Sequence, residues 1–456
     1  MKLHTYILAA IATSSVLTAC HKEAVVEVSK PVITPSKPIT SDTLSGAIQG
    51  TLLAGKTYYF ATDITINDGD TLFLQSGVKL IALGDGSSQL KSPQITVNGS
   101  LISLGTKEAP NYITVSEALR TPENAFKGIW GGIQCTPAKD KQGGDLILKW
   151  THLEYAGGPV AIGNDVYKAG DPRYMIYFAN VDKNFILEDS WITGSKDDAI
   201  RTDGGRISIM RNTFEMCGEK GGEALNMKSG TIGDVAYNVA IGTATNAFKV
   251  SNSGDKTIQA NVNIYNNTMI NCGFRQTKEG RGGGINYEAF AKGKAFNNLF
   301  INCRVSMRVV GGAGTGADLA NLSYGNNLYY GNAPTLVTQF NATDGVSTFG
   351  ATDIHGDIKQ NSPVFYAYDV DQFDYATLGG TNKAPAVSWK QQALPLLRQG
   401  TSNFRIRQGS PAIGKGNTQF APMNITSMKN EGAAAEVTRP GKDLGAYQLD
   451  GTGNQH

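Results

Sequence analysis

Five short segments between residues 199 and 312 could do chemistry: AIRTDG (199–204), ALNMKSG (224–230), AFKVSNSG (247–254), GINYEAF (284–290) and SMRVVGG (306–312). Alternation with a period of two sends Ile200, Leu225, Phe248, Ile285 and Met307 inward. Arg201, Asn226, Lys249, Asn286 and Arg308 then point outward. Two residues further on, the outward set is Asp203, Lys228, Ser251, Glu288 and Val310, and Asp197, Asp198 and Glu223 stand just before these strands. Stacked one above another, the segments make a face about 20 Å long at the β spacing. On it Arg201, Lys249 and Arg308 could hold carboxylates, while Asp203, Asn226, Asn286 and Glu288 could hold hydroxyls. Hydrolysis of a glycosidic bond needs two carboxyls about 5–5.5 Å or about 6.5–9.5 Å apart. Asp198 and Glu223 sit at corresponding places one repeat apart, so about 5 Å is expected for them. β-Elimination on a uronide needs a base, for which Lys228 or Lys249 serves, and a cation to stabilise the enolate-like charge, for which Arg201 or Arg308 serves. Asp197, Asp198 and Asp203 could supply oxygen ligands to Ca²⁺. The competing reading is a solvated face whose opposite charges pair up the stack and stabilise little.

Such a face requires a repeat, and a second set of segments supplies one. THLEYA (151–156), DSWITG (189–194), NTFEMC (212–217), NVAIGT (238–243), NTMINC (267–272), NLFINC (298–303) and NLYYGN (327–332) align with Thr151, Asp189, Asn212, Asn238, Asn267, Asn298 and Asn327 at the head. After the first long gap the spacings are 23, 26, 29, 31 and 29 residues. Short strands at such a period imply stacked coils, a parallel β-solenoid with Asn amides bonding up a column. An array of hairpins would need turns every 8–12 residues or so. Cys217, Cys272 and Cys303 fall in one column and are expected as small buried hydrophobes with free thiols.

The whole pattern resembles right-handed parallel β-helix proteins, the architecture of pectate lyases and polygalacturonases. DITINDGDTLFLQSGVKLIAL (63–82) resembles the entry coils of such proteins, and NFRIRQGSPAIGKGN (403–417) with RPGKDLGAY (439–447) resembles their closing segment. The resemblance implies an all-β chain: a right-handed parallel β-helix over 46–332, then closing coils and a cap-like C-terminal segment over 333–456. SKDDAIRTDGG resembles the paired-Asp motif of polygalacturonases through Asp197 and Asp198. The Gly-His-Gly and Arg-Ile-Lys elements of that family are absent, as is the R-x-P-x-x-R element of pectate lyases. The architecture carries many functions. Binding of an extended polysaccharide, or a structural role alone, is the expected function, with a polysaccharide lyase, and after it a glycoside hydrolase, as the alternative.

The chain opens MKLHTYILAAIATSSVLTAC. A basic start and a short apolar run read as an export signal. LTAC resembles the lipobox of bacterial lipoproteins, which implies cleavage over 1–20, lipid on Cys20 and a membrane held through that lipid. His21 in place of Asp implies the outer membrane, and His21-Lys22-Glu23 resembles tags for the cell surface. Residues 21–45, rich in Pro, Ser, Thr and Val, are expected as a flexible tether. Within it Asp42-Thr43-Leu44 resembles an O-glycosylation site of some envelope proteins.

GTLLAGKT (50–57) matches the phosphate-binding loop of nucleotide hydrolases letter for letter. That loop needs a buried strand before it and a helix after it. Here a tether precedes it and strand-like YYFATDITI follows, so a turn into the first coil is expected and no nucleotide partner. A net charge of +2 provides no basic field for nucleic acid. Of five histidines only His152 and His355 lie within the expected fold, which argues against a His-ligated zinc site or a Ser-His triad.

Overall fold

The computed structural model describes residues 37–278, 280–374, 394, 396–423 and 434–456. The expected signal peptide, the lipidated Cys20 and most of the expected tether lie outside the described residues. Three all-parallel sheets of 11, 10 and 10 strands run the length of the chain. Each coil passes from the first sheet (as at Gly205–Met210) through a tight corner to the second (Thr213–Glu215), and through a loop to the third (Leu225–Met227). A further turn returns it to the first sheet at Thr231–Ala236. This is the expected parallel β-solenoid. Its interior is a continuous apolar column in which Ile200, Leu225, Phe248, Ile285 and Met307 are at most 1% exposed.

From Trp150 onward the corner between the first and second sheets is one left-handed residue followed by one buried polar residue. Arg211, Tyr237, Asn266, Asn297 and Asn326 take φ of 51–61° there. Left-handed backbone costs a non-glycine residue about 1–2 kcal/mol. The residue after each compensates. The Asn238 backbone N–H and Nδ2 both donate to Asn267 Oδ1, at 2.9 and 3.0 Å. Asn267 repeats this onto Asn298, and Asn298 onto Asn327. Asp353 accepts from the Asn327 N–H at the last step. At the other end Ser190 N–H donates to Asn212 Oδ1, and Thr151 N–H to Ser190 Oγ. The register is therefore one residue off the expected alignment at this coil: Ser190, not Asp189, stands in the column, because Trp191 pairs with Thr213. Asp189 takes the left-handed corner at φ 49°. With that correction Ser195, Cys217, Thr243, Cys272 and Cys303 form one column. Cys135, Cys217, Cys272 and Cys303 are all buried free thiols.

GTLLAGKT is a strand at Gly50–Leu52, a turn and a strand from Thr57, with no helix to face a phosphate. The solenoid also begins earlier than residue 46. Pro38–Ile39 pairs with Thr51–Leu52, and Leu44 is buried, so the stretch around Asp42-Thr43-Leu44 is the first rung and not a free tether.

The C-terminal segment differs most from expectation. Residues 341–354 add a partial last rung, with bridges from Met307 to Asn341 and Leu328 to Ile354. The chain then turns back along the outside of the solenoid instead of closing its end. Asn403–Ile406 pairs antiparallel with Phe365–Ala367, not with a coil. Phe365, Phe404, Ile406, Leu444 and Tyr447 pack on Val239, Ile270, Leu299 and Leu328 of the second sheet. Phe420 and Val437 pack on Met210, Ala236 and Tyr265 of the first. The corner side chains clamp this segment: Tyr237 Oη donates to the Arg439 carbonyl, and Asn297 Nδ2 to that of Asn417. His456 stacks on Trp191 at 5.2 Å, far down the stack. Burial holds its imidazole down at about 4.

Asn267→Ala removes the acceptor of two buried donors and the amide that donates to the Val235 and Tyr265 carbonyls and to Asn298 Oδ1. A loss of about 3 kcal/mol is expected, read from the denaturant midpoint, while Thr65→Ala on the outer face of the third sheet changes it by under about 0.5 kcal/mol.

Candidate functional site

The third sheet carries the charged face. Its register places Arg201, Asn226, Lys249, Asn286 and Arg308 in one outward column, with Tyr177, Gln134 and Thr96 continuing it toward the N-terminus. Ser251 and Glu288 pair in the next column, as the alternation requires. Among the described residues, the hydrogen bonds and core contacts of residues 355–456 reach the other two sheets and the loops beside them, and this face stays uncovered.

The loops that join the second sheet to the third turn part of the face into a cleft. Glu223, Lys249, Lys278, Arg281, Glu288 and Arg308 line a cavity of about 180 Å³, with Thr245, Asn246 and Gln276 on its wall. Gly222, at φ 95°, lets the 218–222 loop lie against Asp197: a Cβ there would stand 2.5 Å from the Asp197 carbonyl carbon. Glu288 is the anionic pivot. Lys249 Nζ reaches Oε1 at 2.9 Å, Asn286 Nδ2 donates to Oε2 at 3.0 Å, and Ser251 Oγ donates to Oε1 at 3.1 Å. Burial alone would raise this carboxyl; Lys249, Asn286 and Lys228 outweigh it and hold it at about 2. Arg308 bonds Asn286 Oδ1 and pairs with Asp344 at 2.9 Å.

Two coils below Glu288, two carboxyls meet on one amide. Asn226 Nδ2 donates to Asp198 Oδ2 at 2.8 Å and to Glu223 Oε2 at 3.4 Å, and the Glu223 N–H donates to Asp198 Oδ1 at 2.8 Å. Burial, then the Asp198 charge, pushes the Glu223 carboxyl well above the carboxylate range. The same two causes raise Asp197 to about 7. Lys228 donates to Ser253 Oγ at 3.0 Å; burial, then Lys249 and Arg201, lower its ammonium.

Arg201 and Asp203 stand apart from this cluster. Arg201 lies over the Tyr174 ring at 5.1 Å and donates to its hydroxyl, while Asp203 accepts from Tyr177 at 2.9 Å. Asp197, Asp198 and Asp203 are thus not gathered on one point, and among the described residues no group of three His, Cys, Asp or Glu side chains stands at metal-holding spacing. Sequence reasoning missed Lys278 and Arg281 as individual residues, although the loop that carries them, 274–284, is recognisably polar and glycine-rich. It also missed Asp344, which comes from the last rung, and the tyrosines 167, 174 and 177.

Comparison of the chain with protein-family models, with curated proteins and with solved structures finds no match in any of the three.

The raised Glu223 carboxyl has a sign that can be measured. The folded state binds its proton where the unfolded state has released it, so its stabilising effect is present below the ordinary carboxylate pKa and lost as pH rises through the folded value. His152 and His456, both held near 4, act oppositely: stability falls as pH drops below about 6.5. The difference in denaturant midpoint between the native chain and Glu223→Gln isolates the carboxyl. It is expected to favour the native chain increasingly as pH is lowered from above the folded value toward the ordinary carboxylate pKa.

Proposed function

We propose that this protein binds an extended, acidic polysaccharide along the outer face of its third sheet. The observation that carries the reading is the charge balance of the cleft. Lys249, Lys278, Arg281 and Arg308 line it; Lys249 pairs with the strongly ionised Glu288 and Arg308 with Asp344. Lys278 and Arg281 have no ion pair among the described residues, and burial and the Asp198 charge raise the Glu223 carboxyl toward its neutral form. A cleft with excess positive charge and low-dielectric walls focuses a field on anionic groups. Amides stand beside the cations: Asn286, Asn246 and Asn226, whose buried Oδ1 has no partner among the described residues and suits a ligand hydroxyl. A face paired throughout would leave no cation over, whereas here Lys278 and Arg281 are left over among the described residues.

Catalysis is the second reading, favoured by the shared amide of Asp198 and Glu223. Two carboxyl oxygens bonded to one nitrogen at 2.8 and 3.4 Å lie closer than the roughly 6.5–9.5 Å of an inverting hydrolase pair. A Glu223 raised toward its protonated form beside Asp198 has the form of a general acid with its partner. Lys228, with its lowered ammonium, would serve as base in an elimination, although Arg201 is held by Tyr174 one coil away. The leader and Cys20 extend the proposal to a lipid-anchored protein of the outer membrane.

The test is calorimetric titration of the full chain with oligomers of galacturonate, mannuronate and glucuronate. Arg308→Ala and Lys249→Ala are each expected to weaken binding about tenfold, or about 1.4 kcal/mol, and added salt to weaken the native complex. Equal affinity for uncharged oligomers, unaffected by either substitution, would overturn the reading. Absorbance of unsaturated uronide during the same incubations separates binding from elimination: a rise lost in Lys228→Ala selects the lyase.

A further inference from the structure

A second cavity opens on the same sheet face, toward the N-terminus. It encloses about 240 Å³ between the third-sheet strands at Ile95–Val97, Ile133–Cys135 and Ile176–Phe178 and the long loop over residues 157–173. Its floor is the outward column itself: Thr96, Gln134 and Tyr177, joined by Gln94 and Thr136. Its wall is aliphatic, from Val160, Ile162 and Val166. Ile162 is 81% exposed at the rim.

The chemistry here is the reverse of the cationic cleft. Of the lining residues only Arg173 is charged, and its guanidinium is spent inside the wall. It donates to Gln94 Oε1, the Gly158 carbonyl and the Ser92 carbonyl, and the residue is 2% exposed. The remaining polar groups are amides and hydroxyls in fixed orientation. Tyr167 Oη donates to Gln134 Oε1 at 2.7 Å, Gln134 Nε2 to the Tyr174 carbonyl at 3.0 Å, and Gln94 Nε2 to Thr96 Oγ1 at 2.9 Å. The rings of Tyr167, Tyr174 and Tyr177 pack on one another at 5.0–6.3 Å and hold this floor rigid.

We infer that this cavity is a binding site for an uncharged, polyhydroxylated ring, a neutral sugar unit. A concave site with an apolar wall and a few oriented amides and hydroxyls suits a ligand that has one aliphatic face and a rim of hydroxyls. A carboxylate or phosphate would lose its water without gaining an opposite charge, which disfavours it. Gln134 and Asn286 are five rungs apart on one column, about 24 Å at the β spacing. The inference rests on the proposed polysaccharide role and narrows it: the polymer carries neutral units as well as acidic ones, and both lie on one groove.

The test uses the full chain with two probes, a hexamer of galacturonate and a panel of neutral hexamers of glucose, mannose, xylose and galactose. Variants Ile162→Asp and Thr136→Asp place a charge at the second cavity, and Arg308→Ala alters the first. At least one neutral hexamer is expected to bind, to lose at least about tenfold in affinity in Ile162→Asp and Thr136→Asp, and to be unchanged in Arg308→Ala. The acidic hexamer follows the opposite pattern, and its retained binding shows that the two cavity variants are folded. Binding of the acidic hexamer with no neutral hexamer bound overturns the inference and leaves the proposed function standing. Neutral binding indifferent to Ile162→Asp and Thr136→Asp also overturns it. If neither probe binds, both fall together.

Discussion

From Trp150 onward each coil turns from the first sheet to the second through a left-handed residue, and from Asn212 to Asn327 a column of buried Asn amides makes that turn tenable. Each amide oxygen accepts two N–H donors from the neighbouring coil, so no corner is satisfied until the next is in place. The ladder fixes registration between coils, and registration is what stacks like on like: apolar residues inward, Cys beside Thr and Ser, and charged residues in one outward column. The site is a consequence of this. Lys249, Asn286 and Arg308 come from segments about 60 residues apart in sequence and meet only because their coils are locked in step.

The same corners have a second use. Their left-handed residues point side chains outward, and Arg211, Tyr237, Asn266 and Asn297 hold the returning C-terminal segment by its carbonyls. That segment covers apolar rows on the second sheet, such as Val239, Ile270 and Leu299, that would otherwise meet water. Two faces are thereby committed to the chain itself. Among the described residues the third remains uncovered, and the loops between the second and third sheets build its walls.

Period-two alternation made the inward and outward columns of the third sheet legible from the sequence, because both columns are set within single strands. The Asn ladder was legible for the same reason, save at one coil. There Asp189 and Ser190 are both small and polar, either could head the repeat, and only the pairing of Trp191 with Thr213 decides. The C-terminal segment was not legible: its contacts are between non-repeating residues hundreds of positions apart, and no local period encodes them. The second cavity was hidden likewise, since its aliphatic wall is an insertion that breaks the coil length between Thr151–Glu154 and Ile176–Phe178. Pairings of charge across coils, such as Arg308 with Asp344, depend on loop paths that strand patterns leave open.

Hydrogen–deuterium exchange of the full chain, with and without a saturating acidic oligosaccharide, tests most directly whether the uncovered third face is where this protein meets its ligand. Slowed exchange in the 218–223 and 274–284 loops and in the strands at Asn246–Ser251 and Gly283–Glu288 is the predicted result, with residues 434–456 unchanged. Protection confined to the C-terminal segment or to the first and second sheets, with none at the cleft, would contradict it.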